Sequence, residues 1–171
     1  MKLDQHYTEN AIRTYTGLPF DIKILDPDTI SIEDIAHALS LTPRWGGHTK
    51  ELFSVAQHCV LAAWHVAEGY ELEALMHDAS EAYLQDMPAP IKSLLPDYRK
   101  LEGDLMAAIA KKFKFEYPPP PVVKEIDSAL LSAEWDQVVI GDSKYSAYLN
   151  YWRPQDAEAK FLEAFNRYKR A

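Results

Sequence analysis

The residues of this chain best suited to chemistry are the adjacent pair His77-Asp78, which lies in an otherwise apolar stretch. Burying an imidazole beside a carboxylate costs several kcal/mol unless both groups are paired or bind a metal. His58 lies 19 residues before His77, and Asp127 lies 49 residues after Asp78. Such a mixed nitrogen and oxygen set suits Mn, Fe, Co, Ni or Zn better than Ca. Taken singly, each has a structural explanation, a histidine bonded to a backbone carbonyl or a surface aspartate, so the hypothesis depends on their conjunction.

Three predicted helices must carry these four residues. An apolar stripe over residues 50–67 predicts a helix with His58 on its inner face. A second helix is predicted over 71–84, with the His-Asp pair inside it, and a third over 122–139, with Asp127 one turn before Leu130. Helices packed side by side bring these side chains to one point.

The rest of the chain is predicted to be mainly helical, apart from a short β element near the N-terminus. Alternation of Phe20, Ile22 and Ile24 predicts a short strand or hairpin near the N-terminus. Ser31 followed by Asp34 resembles a capping box that starts the first helix. Further helical segments are predicted at 90–95, 97–114 and 154–169, the last beginning at Pro154. The fold class is therefore mainly α, with five to seven helices and a short β element, in one domain over 1–171.

Composition narrows the functional classes. The 171 residues carry a formal charge of −8, which argues against nucleic acid as a partner because nonspecific binding needs clustered Lys and Arg. A small phosphorylated substrate remains compatible with that charge. The chain has no apolar run of membrane-spanning length, its first residues lack a signal-peptide core, and its single cysteine, Cys59, suits a reducing compartment. A cytoplasmic location without membrane association is expected.

Five segments together resemble the HD-domain phosphohydrolase superfamily, and within it the compact bacterial 5′-deoxynucleotidase branch. They occur in family order between residues 44 and 127: Arg44-Trp45, Val55-Ala56-Gln57-His58, Leu75-Met76-His77-Asp78-Ala79-Ser80-Glu81, Asp86-Met87-Pro88-Ala89-Pro90-Ile91-Lys92 and Glu125-Ile126-Asp127. The stretch 46–50 departs from the cellular deoxynucleotidases and looks closer to small HD proteins common in phages and prophages. The expected architecture is then a compact HD-type helical bundle.

The resemblance implies a role for each matching residue. It makes His58, His77, Asp78 and Asp127 the ligands of one divalent metal, Mn, Co, Fe, Ni or Zn, with Mg as a further option. It places Glu81 beside the metal-bound water, so that Glu81 and the ligand Asp78 form the catalytic set. It implies that Arg44 and Trp45 contact the nucleotide and that Asp86 and Lys92 lie near it, while Lys50 is a further candidate cation.

Spacing gives an independent reason to consider Glu81. It lies one helical turn after His77, so both side chains project from the same face. We expect Glu81 to orient or deprotonate the attacking water, or to protonate the leaving ribose oxygen. The structural alternative is an exposed helix carboxylate.

Several functions share this residue set. Hydrolysis of the 5′-phosphate of deoxynucleoside monophosphates is expected first, so the partner is a small nucleotide. Release of triphosphate from deoxynucleoside triphosphates such as dATP, a noncatalytic nucleotide sensor, a phosphodiesterase, and a structural protein with an incidental His-Asp pair are the alternatives. The aromatic cluster Tyr145, Tyr148, Tyr151 and Trp152, together with the resemblance, favours a homo-oligomer, a dimer or higher.

Overall fold

A small antiparallel hairpin precedes the helices in the computed structural model, which describes residues 9–141 and 150–170. Strand β1 (Ala11–Arg13) pairs with β2 (Pro19–Asp21), and Phe20 of β2 is fully buried. The predicted β element is therefore present but shorter than its alternation suggested. The Asp21 side chain accepts a hydrogen bond from the Lys23 amide, which turns the chain and leaves Ile24 exposed.

Helix α1 (Ile32–Leu41) begins with half of the predicted capping box. Ser31 Oγ accepts from the Asp34 amide at 2.9 Å, as predicted. The Asp34 carboxylate accepts instead from the amide and hydroxyl of Thr16, at 2.7 and 2.9 Å. Asp34 therefore ties the hairpin loop to α1 rather than capping its own helix.

Helices dominate the rest of the described chain, which confirms the mainly α prediction. Short 3₁₀ turns span Pro27–Thr29 and Arg44–Gly47, and a π-helical turn spans Trp135–Ile140. The remaining helices are α2 (Val55–His65), α3 (Glu71–Met76), α4 (Glu81–Leu84), α5 (Ala89–Lys92), α6 (Pro96–Phe113), α7 (Pro121–Glu134) and α8 (Pro154–Tyr168). Helix α8 starts at Pro154, as predicted, whereas α2 starts only at Val55 because the Ser54 hydroxyl caps it by accepting from the Gln57 amide.

The helix predicted over 71–84 is divided in two. Helix α3 ends at Met76 and α4 begins at Glu81, so the His-Asp pair lies in the junction and not inside a helix. Within the junction the hydrogen bonds are of the i→i+3 type, including one from the Glu81 amide to the Asp78 carbonyl. The Ala74 carbonyl, which a continuous α-helix would pair with the Asp78 amide, accepts from the His77 ring at 2.7 Å. This side-chain bond competes with the helical one and explains the break.

Helix α2 is the centre of the fold. Its residues from Val55 to Ala63 are all buried, and it contacts α1, α3, α7 and α8. One core cluster lies between α1, α2, α3, α6 and α8, and a smaller cluster packs α7 against α2 through Phe53, Leu61, Val123 and Leu130. The second cluster lays α7 across α2 and so brings Asp127 over His58.

Two predictions from the sequence concern the surface of the protein, namely membrane association and self-association. Among residues 9–141 and 150–170, no helix combines the length and apolar character needed to cross a bilayer. In the aromatic cluster, Tyr145 and Tyr148 lie outside the described residues, while Tyr151 and Trp152 pack against the smaller core cluster. Self-association stays a prediction.

Candidate metal centre and its cleft

The side chains of the four predicted ligands converge on one point. His58 Nε2 lies 3.1 Å from Asp127 Oδ1, 3.2 Å from His77 Nε2 and 3.8 Å from Asp78 Oδ2. His77 Nε2 lies 3.2 Å from Asp78 Oδ2 and 3.7 Å from Asp127 Oδ1. Such separations fit donor atoms that surround one ion at about 2.0–2.2 Å. Among the described residues, His58, His77 and Asp127 form a group that could hold a metal ion, and Asp78 lies within 3.8 Å of both histidines. A candidate metal site is thus present where it was predicted, while the full ligand set stays a prediction.

The centre is closed on one side and open on the other. The His58 side chain is fully buried, whereas Asp78 and Asp127 expose 22% and 41% of theirs. A metal held here would thus be reachable from the carboxylate side. The site in this respect differs from a structural metal site that is closed on all sides.

Both histidines are oriented by a hydrogen bond from the second ring nitrogen. His58 Nδ1 donates to Glu134 Oε1 at 2.5 Å, and His77 Nδ1 donates to the Ala74 carbonyl. With Nδ1 protonated in each ring, the lone pair on Nε2 faces the centre. Such outer partners fix the tautomer of a metal-binding histidine and raise its basicity.

The pKa values of His77, Asp78 and Asp127 are shifted by the charges that these residues place on one another. Burial alone lowers the pKa of His77, but the carboxylates of Asp78 and Asp127 together raise that pKa well above its ordinary value. Burial raises the pKa of Asp78 and of Asp127, yet the two imidazoles hold both pKa values below their usual range. The two carboxylates therefore favour a positive charge at the centre.

Cys59 is a further neighbour that the sequence did not mark as a ligand. Its sulfur and ligand atoms of His77 and Asp78 lie within 4.8 Å of one another. Burial raises the pKa of the Cys59 thiol to about 11, so the thiol is protonated in the metal-free protein. Cys59 is therefore a second candidate neighbour of the metal beside the four predicted ligands.

Glu134 is the functional residue that sequence reasoning missed. It is fully buried at the end of α7, where it accepts from His58 Nδ1 and, at 2.8 Å, from Arg44 Nε. Burial raises the pKa of Glu134, but His58 and Arg44 outweigh that effect and keep it low. Its position seven residues after Asp127, two turns along the same helix face, was the signal available in the sequence.

A cleft of about 520 Å³ opens onto the centre. Besides Asp127, six of the predicted site residues line the cleft: Arg44, Trp45, Asp78, Glu81, Asp86 and Lys92. The remaining wall is mainly apolar and consists of Met87, Pro88, Ala89, Pro90 and Leu131, beside His48. Lys50 does not line the cleft; it is exposed, with its Nζ beside Gly141. The structure thus gathers every predicted site residue around the cleft except Lys50 and the more deeply placed His58 and His77.

Glu81 has the environment of a proton-transfer group. It is buried, and its Oε2 has no hydrogen-bond partner among the described residues. Burial raises its pKa well above the usual value, with help from Asp78 and Asp86, while Lys92 and Arg44 act in the opposite direction. A carboxyl group with a raised pKa in a cleft is a candidate general base or acid.

The two cations of the cleft are already paired. Lys92 Nζ lies 2.6 Å from Glu102 and 4.0 Å from Glu81 Oε1. Arg44 contacts Glu134 through Nε and approaches Asp78 Oδ2 at 3.5 Å through one terminal nitrogen. These bonds orient both cations toward the cleft and leave part of the Arg44 guanidinium for an anion.

Trp45 is held at the cleft by unusual backbone geometry. Its φ is +60°, and the glycines that follow, Gly46 and Gly47, also have positive φ. A large residue in this region is strained, which is typical of functional positions. The Trp45 ring lies 5.5 Å from that of Trp135, and its Nε1 is buried without a hydrogen-bond partner among the described residues. The backbone conformation at this position thus accompanies an aromatic side chain in the wall of the cleft.

Fold and centre define the chain as a mainly helical protein with a candidate divalent-metal site at the base of a cleft. The chain belongs to the family of the Escherichia coli (strain K12) protein YfdR, with which it is 42% identical over 170 residues, covering 91% of this chain and 93% of YfdR. It is also 35% identical over 128 residues to RCAP_rcc00048 of Rhodobacter capsulatus, covering 68% of this chain and 65% of that protein. No family model matches the chain. Both relatives are uncharacterized, so the relationship brings no substrate with it.

Proposed function

We propose that this protein is a metal-dependent phosphohydrolase of the HD-domain type that removes the 5′-phosphate from deoxynucleoside monophosphates. One observation carries the proposal: two histidines and two aspartates lie at the base of a cleft whose wall includes Glu81. The pKa of the Glu81 carboxyl group is raised, and its Oε2 has no hydrogen-bond partner among the described residues. The resemblance of the five sequence segments to that superfamily supports the same assignment.

Besides the metal ligands, three cleft residues, Glu81, Arg44 and Asp86, have a defined part in such a reaction. A divalent metal at the four ligands would lower the pKa of a coordinated water and offset charge on a phosphoryl oxygen. Glu81 accepts the proton of the attacking water through its free oxygen and returns it to the sugar O5′ as the bond between phosphorus and O5′ breaks, which releases the deoxynucleoside as an alcohol. Arg44, fixed by Glu134, presents its remaining N–H groups to the phosphate. Asp86 lies in the cleft wall, where its carboxylate would accept from the sugar 3′-hydroxyl.

The apolar part of the cleft supports a nucleotide as substrate. Phosphate itself needs no apolar wall, whereas a nucleobase gains from burial against Trp45, Met87 and Leu131. The volume of about 520 Å³ falls in the range of about 300–1,000 Å³ typical of small-molecule sites.

Charge favours a monophosphate over a triphosphate. Four acidic residues line the cleft, Asp78, Glu81, Asp86 and Asp127, against two permanent cations, Arg44 and Lys92, a formal balance of 2 − 4 = −2. One divalent ion brings that balance to zero. A triphosphate would bring two more phosphate groups than a monophosphate, and their negative charges would be repelled by a wall whose cations are already paired.

The test is a product-resolved screen of the purified protein with Mn²⁺ or Co²⁺ against deoxy- and ribonucleoside mono- and triphosphates. We expect orthophosphate and deoxynucleoside from the deoxynucleoside monophosphates. Triphosphate as the product would move the protein to the triphosphohydrolase class. Metal binding without turnover of any nucleotide would identify a noncatalytic sensor, and absence of metal binding would leave a structural protein.

The pH dependence of turnover should follow the charges around Glu81. Lys92 lowers the pKa of Glu81 and Asp86 raises it, so removing each charge shifts that pKa in opposite directions. Because Glu81 must be ionised to accept a proton, Lys92→Met should move the acidic limb of the kcat profile to higher pH, and Asp86→Asn should move it to lower pH. Profiles at saturating substrate would measure both shifts.

Lys100→Met provides the control for these profiles, since Lys100 is exposed and pairs only with Asp104 in the contacts of the described chain. Its profile should overlay that of the wild type. A shift of the alkaline limb alone in Lys92→Met would contradict the role of base and assign Glu81 as the acid.

A further inference from the structure

Glu134 is neither one of the predicted metal ligands nor a residue of the cleft wall, so its burial beside the site needs a separate explanation. It is a fully buried carboxylate whose two oxygens serve two different residues: Oε1 accepts from His58 Nδ1 at 2.5 Å, and Oε2 accepts from Arg44 Nε at 2.8 Å. His58 is a candidate metal ligand and Arg44 a candidate phosphate contact. One buried side chain thus connects the two parts of the site.

We propose that Glu134 is a positioning residue that joins His58 and Arg44 into one hydrogen-bonded unit, so that the same carboxylate prepares the metal site and the phosphate-binding cation. The part concerning phosphate rests on the proposed function, whereas the part concerning the metal does not. Glu134 is not among the residues that line the cleft or among the candidate ligand groups of the described chain, and it acts through its two partners.

The chemistry of the position requires a carboxylate. Its two donors approach different oxygens, and a carboxylate is the side chain that accepts at both ends without donating at either. The bond to His58 keeps the proton on Nδ1 and therefore leaves Nε2 free to coordinate. The bond to Arg44 engages Nε, which aligns the guanidinium with its terminal nitrogens toward Asp78 and the cleft.

The helix that carries Glu134 strengthens the argument. Helix α7 also supplies Asp127, two turns earlier, so a single rigid element sets both a ligand and the outer partner of another ligand. Arg44, by contrast, comes from the short turn Arg44–Gly47, which contains strained positive φ values. Glu134 fixes this loop residue to a helix of 14 residues.

Two substitutions of Glu134 distinguish its bond to His58 from its bond to Arg44. Glu134→Ala removes both, and we expect Co²⁺ affinity to fall about 10–100-fold, as for other outer partners of metal ligands. Glu134→Gln keeps an amide oxygen for His58 but turns an N–H₂ group toward the Arg44 Nε–H. Its Co²⁺ affinity should stay close to that of the exposed same-helix control Glu125→Gln, while its affinity for inorganic phosphate falls.

Calorimetry with Co²⁺, the d–d absorption of the Co²⁺ protein and titration of the loaded protein with inorganic phosphate provide these measurements. Adding Arg44→Ala to Glu134→Gln should cause little further loss of phosphate affinity, because the two residues act as a unit. Unchanged Co²⁺ affinity in Glu134→Ala, or full additivity with Arg44→Ala, would overturn the proposal. If the wild type turns over no nucleotide while the Co²⁺ affinities follow this pattern, the proposed function fails and the metal-positioning role stands.

Discussion

Replacing Glu81 by glutamine should abolish most turnover and leave metal binding intact. Glutamine fills nearly the same volume but cannot accept a proton from water. Because a positioned general base contributes about 10²–10⁴-fold to a rate, kcat should fall by that factor. Glu81 is not one of the converging ligand atoms, so Co²⁺ affinity should match that of the wild type.

The measurement pairs kcat with Co²⁺ calorimetry, and Glu68→Gln, an exposed glutamate between α2 and α3, is the matched control. Near-wild-type turnover in Glu81→Gln would remove Glu81 from the mechanism. A parallel loss of Co²⁺ affinity would instead make it a ligand.

Glu81→Gln should also raise the thermal stability of the folded protein, whereas damage to the fold would lower it. The pKa of Glu81 is raised in the folded state, first by burial, so folding favours its protonated form. This contribution is present below the unfolded pKa and is lost as pH rises through the folded pKa. Metal-free Glu81→Gln should therefore unfold at a higher temperature than the wild type near neutral pH and at a similar temperature in acid, as thermal scans across pH would show.

Replacing Asp127 by alanine should remove metal binding and, with it, turnover. Asp127 Oδ1 lies 3.1 Å from His58 Nε2 and 3.7 Å from His77 Nε2, and its side chain is 41% exposed, so removing it opens no core cavity. Loss of an outer partner of a ligand already costs about 10–100-fold in metal affinity. Loss of a ligand itself should reach at least the upper end of that range.

Thermal unfolding with and without metal measures this effect independently of catalysis. At a free metal concentration about 100 times the Kd, binding stabilises a folded protein by about 2.7 kcal/mol. For a chain of this size that amounts to a rise in Tm of about 5–10 °C. We expect the rise in the wild type and in the control Asp104→Ala, which removes an exposed carboxylate of α6, and none in Asp127→Ala. An equal rise in Asp127→Ala would mean that the metal binds elsewhere.

The sequence was sufficient to predict the parts of this protein that depend on periodicity and donor chemistry. The helices carrying His58 and Asp127 and the start of α8 at Pro154 follow from apolar spacing and proline position. That His58, His77 and Asp127 lie together was predicted because partnerless imidazoles and carboxylates are costly among apolar neighbours. HD-type membership, the metal's identity and the reaction stay predictions.

What the sequence did not predict depends on contacts between distant segments. Glu134 looks like an ordinary helix-end glutamate until Arg44, 90 residues away, is placed beside it. The break between α3 and α4 depends on the His77 ring reaching the Ala74 carbonyl, a choice that helical periodicity does not encode. Lys50 was a reasonable cation candidate by position in the chain, yet its side chain lies beside Gly141, away from the cleft.

The four-residue junction between α3 and α4 has a consequence for how quickly the centre can lose a metal. Two of the candidate ligands, His77 and Asp78, belong to this junction, whose local hydrogen bonds span only three residues. Proteins open locally in contiguous units, so residues adjacent in one junction are released together. A single opening event would withdraw an imidazole and a carboxylate together, leaving His58 and Asp127. The off-rate of the metal should therefore report local unfolding of this junction and not stepwise exchange at individual ligands.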